Sequence, residues 1–163
     1  MKGEPLRHDF GSGEVAAYRW INADGIQGGI VAESARVDDT AVIGAGATIG
    51  EEAVIGYMSV IGDTAIINEG ASIGDGASIE GEDWYITGGP CGSRKAMWTA
   101  VHSHEYGLRW WVGCQYGIST EALLERVQET HGDNEHAQAY RHAVQCVTTH
   151  PEYLKRTQEG QSE

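Results

Sequence analysis

The chain has 163 residues, the length of one domain or of one domain with a small appendage. Hydrophobic residues make up 40% of it, enough apolar surface for a packed core. Its 24 acidic and 11 basic residues give a formal charge of −13, which argues against duplex nucleic acid as a partner because phosphate binding needs clustered lysine and arginine. No apolar run approaches the roughly 20 residues that cross a bilayer, and no signal-peptide core stands at the N-terminus. We therefore expect a cytoplasmic protein without a membrane partner.

The first 30 residues contain apolar side chains that follow no sustained period, among them Phe10, Tyr18 and Trp20. Glycines at positions 25 and 28 interrupt any regular strand pattern. We predict that residues 1–30 form an N-terminal cap of irregular strands over the segment that follows.

A six-residue repeat occupies the next 53 residues, 31–83. Aliphatic side chains recur at every sixth position, namely Val31, Val37, Ile43, Ile49, Ile55, Ile61, Ile67, Ile73 and Ile79. A small residue precedes each aliphatic one after the first by two positions, so both point the same way in an extended segment. Glycine, aspartate or asparagine follows most of the aliphatics and lets the chain bend. The pattern predicts short strands joined by corners and excludes a helix, whose period is about 3.6 residues.

These nine repeats resemble the hexapeptide-repeat family. The resemblance implies a left-handed parallel β-helix of about three coils over residues 31–83, and assembly as a homotrimer. Many members of that family are acyltransferases with a catalytic histidine on or near the coils. Here residues 31–83 contain no histidine and carry eleven acidic residues against one base, Arg36, a poor surface for an acyl-CoA. We expect this segment to be a structural stalk, because a fold does not carry an activity with it.

The composition changes at Trp84. Residues 84–118 contain seven of the 13 aromatic residues of the chain, and three basic residues against one acidic residue. Residues Trp84–Thr87, Ala96–His102 and Leu108–Cys114 have the pattern of strands, separated by a glycine-rich loop and a short turn. We predict a small antiparallel meander over this stretch.

The glycine-rich loop between the first two strands is the strongest candidate for a binding site. Glycines allow backbone N–H groups to converge on an anion, a hydroxyl adds a donor, and arginine clamps a phosphate or carboxylate. Neighbouring indole rings suit stacking on a base. The predicted ligand-binding residues are Gly92, Ser93, Arg94 and Lys95 for the anion, Trp98 and one of Trp110 and Trp111 for stacking, and Thr99 and Arg109 for the remaining polar lining. The loop by itself also fits a solvated hairpin turn.

Other side chains offer weaker alternatives. His102 and His104 lie two apart near a turn and could serve as a general base of an acyltransferase. Together with Cys114 they could also ligate a metal, but no third ligand at a fixed spacing supports a zinc site. Cys114 could also be a nucleophile with a histidine base, but nothing in the sequence positions an orienting carboxylate. The three cysteines lack CxxC spacing, which favours reduced thiols. We predict no bound metal and no cofactor.

The C-terminal part has the pattern of two helices. Ser119 or Thr120 begins the first helix, which ends at Gly132. Asp133 or Asn134 begins the second, which finishes before the proline at position 151. Three side chains spaced four apart on the second helix, His142, Cys146 and His150, lie mostly away from its apolar stripe, so we expect a solvated face there. An α+β module is predicted over residues 84–156, followed by a frayed tail over 157–163.

The run from Gly89-Pro90-Cys91-Gly92-Ser93-Arg94 through the second helix also resembles the C-terminal part of small phage-encoded proteins. That resemblance implies a viral accessory protein, which would act in the host cytoplasm, and supplies no catalytic residues. The sequence thus predicts a mainly β protein with a left-handed parallel β-helix, a meander and two helices. The predicted function is non-catalytic sequestration of a small anionic, nucleotide-like ligand by a homotrimer, to counter host defence signalling. An acyltransferase using His102 or His104, and a structural or protein-interaction scaffold, stay open as alternatives.

Overall fold

The computed structural model describes residues 1–159. The protein is mainly β, with parallel and antiparallel sheets and with three helices near the C-terminus. The chain forms two compact units, the first covering Met1–Asp83 and the second beginning at Trp84. Within the described residues, no helix is long and apolar enough to cross a membrane.

The first unit begins with three antiparallel strands, β1 (Lys2–Asp9), β2 (Glu14–Ile21) and β3 (Gln27–Ala32). The register of β1 against β2 shifts between Lys2 and Pro5, and that of β2 against β3 shifts between Arg19 and Ile21, so the strands are irregular at these points. In the turn after β1, the carboxylate of Asp9 accepts hydrogen bonds from the backbone N–H groups of Gly11 and Gly13 at 2.7 and 2.9 Å.

Eight two-residue strands then recur at six-residue intervals. They are β4 (Arg36–Val37), β5 (Val42–Ile43), β6 (Thr48–Ile49), β7 (Val54–Ile55), β8 (Val60–Ile61), β9 (Ile66–Ile67), β10 (Ser72–Ile73) and β11 (Ser78–Ile79). Strands 18 residues apart pair in parallel, so that every third repeat returns to the same sheet. The sheet orders are β1-β2-β3-β6-β9, β10-β7-β4 and β11-β8-β5.

The six-residue period determines which side chains are buried in the repeats. Ile43, Ile61 and Ile79 stand in register on three successive strands and are each at most 1% exposed. The residue before each of these aliphatics points outward, as Val42 and Val60 do. Backbone hydrogen bonds of about 2.7 to 3.0 Å join strands 18 residues apart, for example from the N–H of Val42 to the carbonyl of Ser59 at 2.9 Å. The alternation of side chains within each strand and the parallel pairing between strands therefore place the aliphatic side chains of the repeats in a shared interior.

The second unit is a four-stranded antiparallel meander with helices after it. Its strands are β12 (Trp84–Cys91), β13 (Ala96–Ser103), β14 (Gly107–Val112) and β15 (Gln115–Ile118), in that order across the sheet. Its helices are α1 (Thr120–His131), α2 (Glu135–Thr148) and α3 (Pro151–Glu159). The predicted meander and the first two helices are present, and the structure adds a fourth strand and a third helix.

The ends of the helices follow their capping residues. Ser119 caps α1, its hydroxyl accepting from the N–H of Ala122 at 3.2 Å, and Asn134 caps α2. The predicted tail over residues 157–163 needs correction in its first part, because residues 157–159 complete α3. Residues 160–163 lie outside the part that the structure describes.

The core of the second unit lies between one face of the meander and helices α1 and α2. Its buried side chains are Cys91, Trp98, Ala100, Trp110, Val112, Leu123, Val127, Ala137, Ala143, Val144 and Val147. Alternation along β13 and β14 sends every second side chain toward the helices, and amphipathic stripes of α1 and α2 cover them. The remaining positions of these strands face the other side of the sheet.

Candidate functional site

The loop between β12 and β13 is a tight turn with two residues in the left-handed region. Gly92 has a φ of +71° and Lys95 a φ of +49°, and the N–H of Lys95 donates to the carbonyl of Gly92 at 3.1 Å. Ser93 and Arg94 occupy the middle of the turn and line a cleft. Lys95 is exposed and is not part of the described lining of that cleft.

We call this cavity the turn–helix cleft. It has a volume of about 220 Å³. Its lining consists of Ser93, Arg94, Val112, Gly113, Cys114, Gln115, Leu123, Arg126, Val127, Thr130, His131 and Tyr140. Buried apolar side chains of β14 and α1 contribute part of this surface. Polar side chains of the β12–β13 turn, β15, α1 and α2 contribute most of the rest. The cleft lies entirely within the second unit.

A stacked pair of rings forms one wall of the cleft. His131, the last residue of α1, and Tyr140 of α2 have ring centroids 5.9 Å apart and planes 17° apart. The hydroxyl end of Tyr140 lies against Gly92, where a side chain would collide with the ring. Burial raises the pKa of Tyr140, the neighbouring Cys91 and Cys114 thiols raise it further, and the Arg94 guanidinium opposes them. The hydroxyl therefore stays protonated at neutral pH and can donate a hydrogen bond.

The charge of the cleft is positive. Arg94 comes from the turn and Arg126 from α1, and the described lining contains no carboxylate. The hydroxyl groups of Ser93 and Thr130 add neutral donors. Guanidinium groups and hydroxyl groups are the donors that proteins use to bind a phosphate or carboxylate group.

Two larger grooves lie on the first unit, and each has a volume of about 660 Å³. Three aspartates, Asp38, Asp39 and Asp75, contribute to one, together with two basic side chains. Asp9, Glu51 and Glu69 contribute to the other. Size alone would favour these grooves, but their carboxylates repel an anion. The charge of its lining therefore makes the turn–helix cleft the better candidate for binding an anion.

Several of the predicted site residues do not reach this cleft. Trp98 and Trp110 lie in the core with their rings 5.6 Å apart, and the indole N–H of Trp110 donates to the hydroxyl of Thr120 at 2.9 Å. Neither ring is open to stack on a ligand. Trp98 therefore does not fit its predicted stacking role, and Trp110 is the core member of the Trp110 and Trp111 pair, of which only one was predicted to stack. The physical reason is that α1 and α2 cover the face of the sheet toward which both indoles point.

Three further predicted residues lie on the opposite side of the sheet from Trp110. Thr99 is only 1% exposed, and it pairs across the strands with Trp111. Arg109 and Trp111 are half-buried. None of the three belongs to the described lining of the cleft. The predicted site is therefore divided between two faces of one sheet, and only its turn residues remain at the cleft.

The histidines considered as general bases are also outside the described lining of the cleft. His102 packs edge-on against Tyr153, with ring centroids 5.5 Å apart, and His104 is exposed in the turn after β13. On α2, the Nε2 atom of His142 lies 3.5 Å from the Sγ atom of Cys146. Among the described residues, no three His, Cys, Asp or Glu side chains come together as a metal site would require.

Sequence reasoning missed the cleft residues that come from the helices and the last hairpin. Gln115, Arg126 and His131 have no local motif that sets them apart, and Tyr140 stands at helical spacing among the apolar residues of α2. Tyr140 did carry one signal, since a tyrosine on an apolar stripe brings a polar hydroxyl to the edge of the core. Comparison with protein-family models, curated proteins and solved structures finds no match to this chain.

Proposed function

We propose that this protein binds a small anionic, nucleotide-like ligand in the turn–helix cleft and performs no chemistry on it. The observation that carries the proposal is that Arg94 and Arg126, from two separate elements, line one cavity whose described lining has no carboxylate. Ser93 and the two guanidinium groups would hold the anionic group. The stacked rings of His131 and Tyr140 offer a flat surface to a base, the role that the sequence had given to indoles.

The volume of the cleft limits the size of the guest. Pockets for drug-sized ligands span about 300–1,000 Å³, whereas this cleft has about 220 Å³. It therefore suits a mononucleotide, with part of the ligand outside, better than it suits a dinucleotide. Capture at equilibrium is the proposed mechanism. In a phage-encoded protein, such capture would withdraw a signalling nucleotide from the host.

For the first unit, we propose a left-handed parallel β-helix that assembles as a homotrimer. The return of the chain to the same sheet every 18 residues supports three repeats per coil. Outward-facing apolar side chains such as Val42, Val60 and Ile66 are exposed in one copy of the chain. Burial of such side chains against other copies would favour assembly. A native mass spectrum of the purified protein tests the subunit count and any retained small molecule together.

The binding proposal is tested by calorimetric titration with purine and pyrimidine nucleoside monophosphates and with inorganic phosphate. Replacing Arg94 by glutamine removes a charge-assisted hydrogen-bond donor, which contributes about 1.5–3 kcal/mol and so weakens binding about 10- to 150-fold. Lys95→Asn is the matched control: it removes the same charge one residue away, outside the described lining, and asparagine tolerates a positive φ.

The outcomes separate the candidate functions. Binding that is lost in Arg94→Gln and kept in Lys95→Asn supports the proposal. The absence of heat with every probe, or equal affinity of Arg94→Gln and the wild type, contradicts it. If the protein turns over acetyl-CoA and this activity disappears in His102→Ala or His104→Ala, the acyltransferase alternative is favoured. If the protein shows neither ligand binding nor turnover, the scaffold alternative remains.

A further inference from the structure

The three cysteines lie in three different environments. Cys91 is buried, and that burial raises the pKa of its thiol. Cys146 is exposed on α2 beside His142. Cys114 is exposed in the turn between β14 and β15 and belongs to the lining of the turn–helix cleft. Cys114 is therefore an exposed thiol in the lining of the cationic cleft. Cys146 is an exposed thiol outside the described lining of the cleft, and its reactivity can serve as a reference for that of Cys114.

A chain of polar groups connects Arg126 to the sulfur of Cys114. An Nη atom of Arg126 donates to the side-chain oxygen of Gln115, and the side-chain nitrogen of Gln115 donates toward Sγ of Cys114 at 3.5 Å. A guanidinium group has donors and no acceptor, so the Gln115 oxygen must face it. The amide NH₂ group is thereby directed at the sulfur. The amide N–H of Gln115 therefore lies beside the sulfur atom that would attack a disulfide.

The same cleft attracts anions. Arg94 and Arg126 line it with Cys114, and no described lining residue is a carboxylate. A negatively charged reagent is therefore concentrated near the sulfur and a positively charged one is repelled. The sulfur combines access, an oriented donor and a cationic surrounding, which distinguishes it from the thiols of Cys91 and Cys146.

We propose that Cys114 is a modification site that forms mixed disulfides with small anionic disulfides. The thiol releases its proton to solvent, and the thiolate Sγ attacks one sulfur of the disulfide. A new bond forms between Sγ and that sulfur, the original S–S bond breaks, and the departing thiolate takes the electron pair. The disulfide is the oxidant, so no further reactant is needed.

Modification would also regulate the cleft, a consequence that rests on the proposed function. An anionic adduct on Cys114 occupies part of a cavity of about 220 Å³ and places a negative charge beside both arginines. Ligand binding and modification therefore exclude each other. Reduction of the mixed disulfide restores the binding form of the protein.

The test compares two aliphatic disulfides of opposite charge, 3,3′-dithiodipropionate and cystamine, with intact-mass detection of each adduct. Cys114 is followed in the Cys146→Ser chain and Cys146 in the Cys114→Ser chain. Relative to Cys146, we expect Cys114 to prefer the anionic reagent by about tenfold at low salt. In 1 M salt, where the Debye length is about 3 Å, the preference disappears.

Variants connect the preference to the cleft. Arg126→Gln should reduce the anionic preference at least about threefold, while Lys155→Gln, which removes an exposed charge from α3, leaves it unchanged. Gln115→Ala removes the donor and slows both reagents alike. An equal anionic preference at Cys114 and Cys146, or an unchanged preference in Arg126→Gln, overturns the proposal. If Cys114 is modified selectively but no nucleotide binds, only the proposed function is contradicted. If nucleotides bind but Cys114 is not modified selectively, only this inference is contradicted.

Discussion

The contact between Gly92 and Tyr140 gives the most direct test of how the cleft is built. A Cβ atom added at Gly92 would lie 2.8 Å from two ring carbons of Tyr140 and closer still to its hydroxyl oxygen. Gly107, the first residue of β14, has nearly the same φ, +65° against +71°, but an added Cβ there meets no heavy atom within 4 Å. Gly92→Ala and Gly107→Ala therefore share the backbone cost and differ in the ring contact.

The magnitude follows from the two terms. An alanine in the left-handed region costs about 1–2 kcal/mol at either position. At Gly92 the ring of Tyr140 must also retreat by roughly half an ångström or more to reach ordinary carbon–carbon contact, and overpacking of this kind costs about 1–3 kcal/mol. Tyr140 packs against the core and stacks on His131, so the ring has little freedom to move. Gly92→Ala should therefore be the less stable variant by about 1–3 kcal/mol.

Thermal unfolding of both variants provides the assay. For a unit of this size, a difference of 1 kcal/mol shifts the midpoint by about 4–8 °C, so Gly92→Ala should melt at least about 4 °C below Gly107→Ala. Ligand affinity should fall in Gly92→Ala alone, because the displaced ring belongs to the cleft. Equal melting temperatures, with equal affinities, would show that Tyr140 does not lie against the turn.

Two further predictions concern the first unit. Ile61→Ala should lower the free energy of unfolding by about 2–5 kcal/mol because it opens a cavity between Ile43 and Ile79. Val60→Ala, on the outward side, should change that free energy by only about 0.5 kcal/mol. Similar losses of stability for the two variants in urea denaturation would contradict the alternation of inward and outward side chains. The Asp9 carboxyl should titrate below its ordinary pKa of 3.8, because the N–H groups of Gly11 and Gly13 donate to its charged form. Its stabilising contribution is present above the pKa of the unfolded chain and is lost as the pH falls through the folded pKa. An NMR titration midpoint of the Asp9 carboxyl at or above 3.8 would contradict the predicted lowering of its pKa.

The strongest features of the fold could be predicted because they depend on residues close together in the chain. The six-residue spacing of aliphatics from Val31 to Ile79 was sufficient to predict short strands, and the buried isoleucines confirm their inward direction. Capping residues likewise marked where α1 and α2 begin. The bounds and the antiparallel order of the first three strands could not be predicted, because they depend on pairing between strands and leave little periodicity in the sequence.

The sequence by itself determined the repeat, its buried aliphatics, the meander and the turn that contains Ser93 and Arg94, all of which follow from local spacing and backbone preference. Only the tertiary structure decided which face of the meander the helices cover. That choice buries Trp98 and Trp110 in the core and brings Arg126 and Tyr140 to the turn. Alternation in a strand gives two faces but does not say which one a distant helix will cover, because the answer depends on packing between elements far apart in the chain.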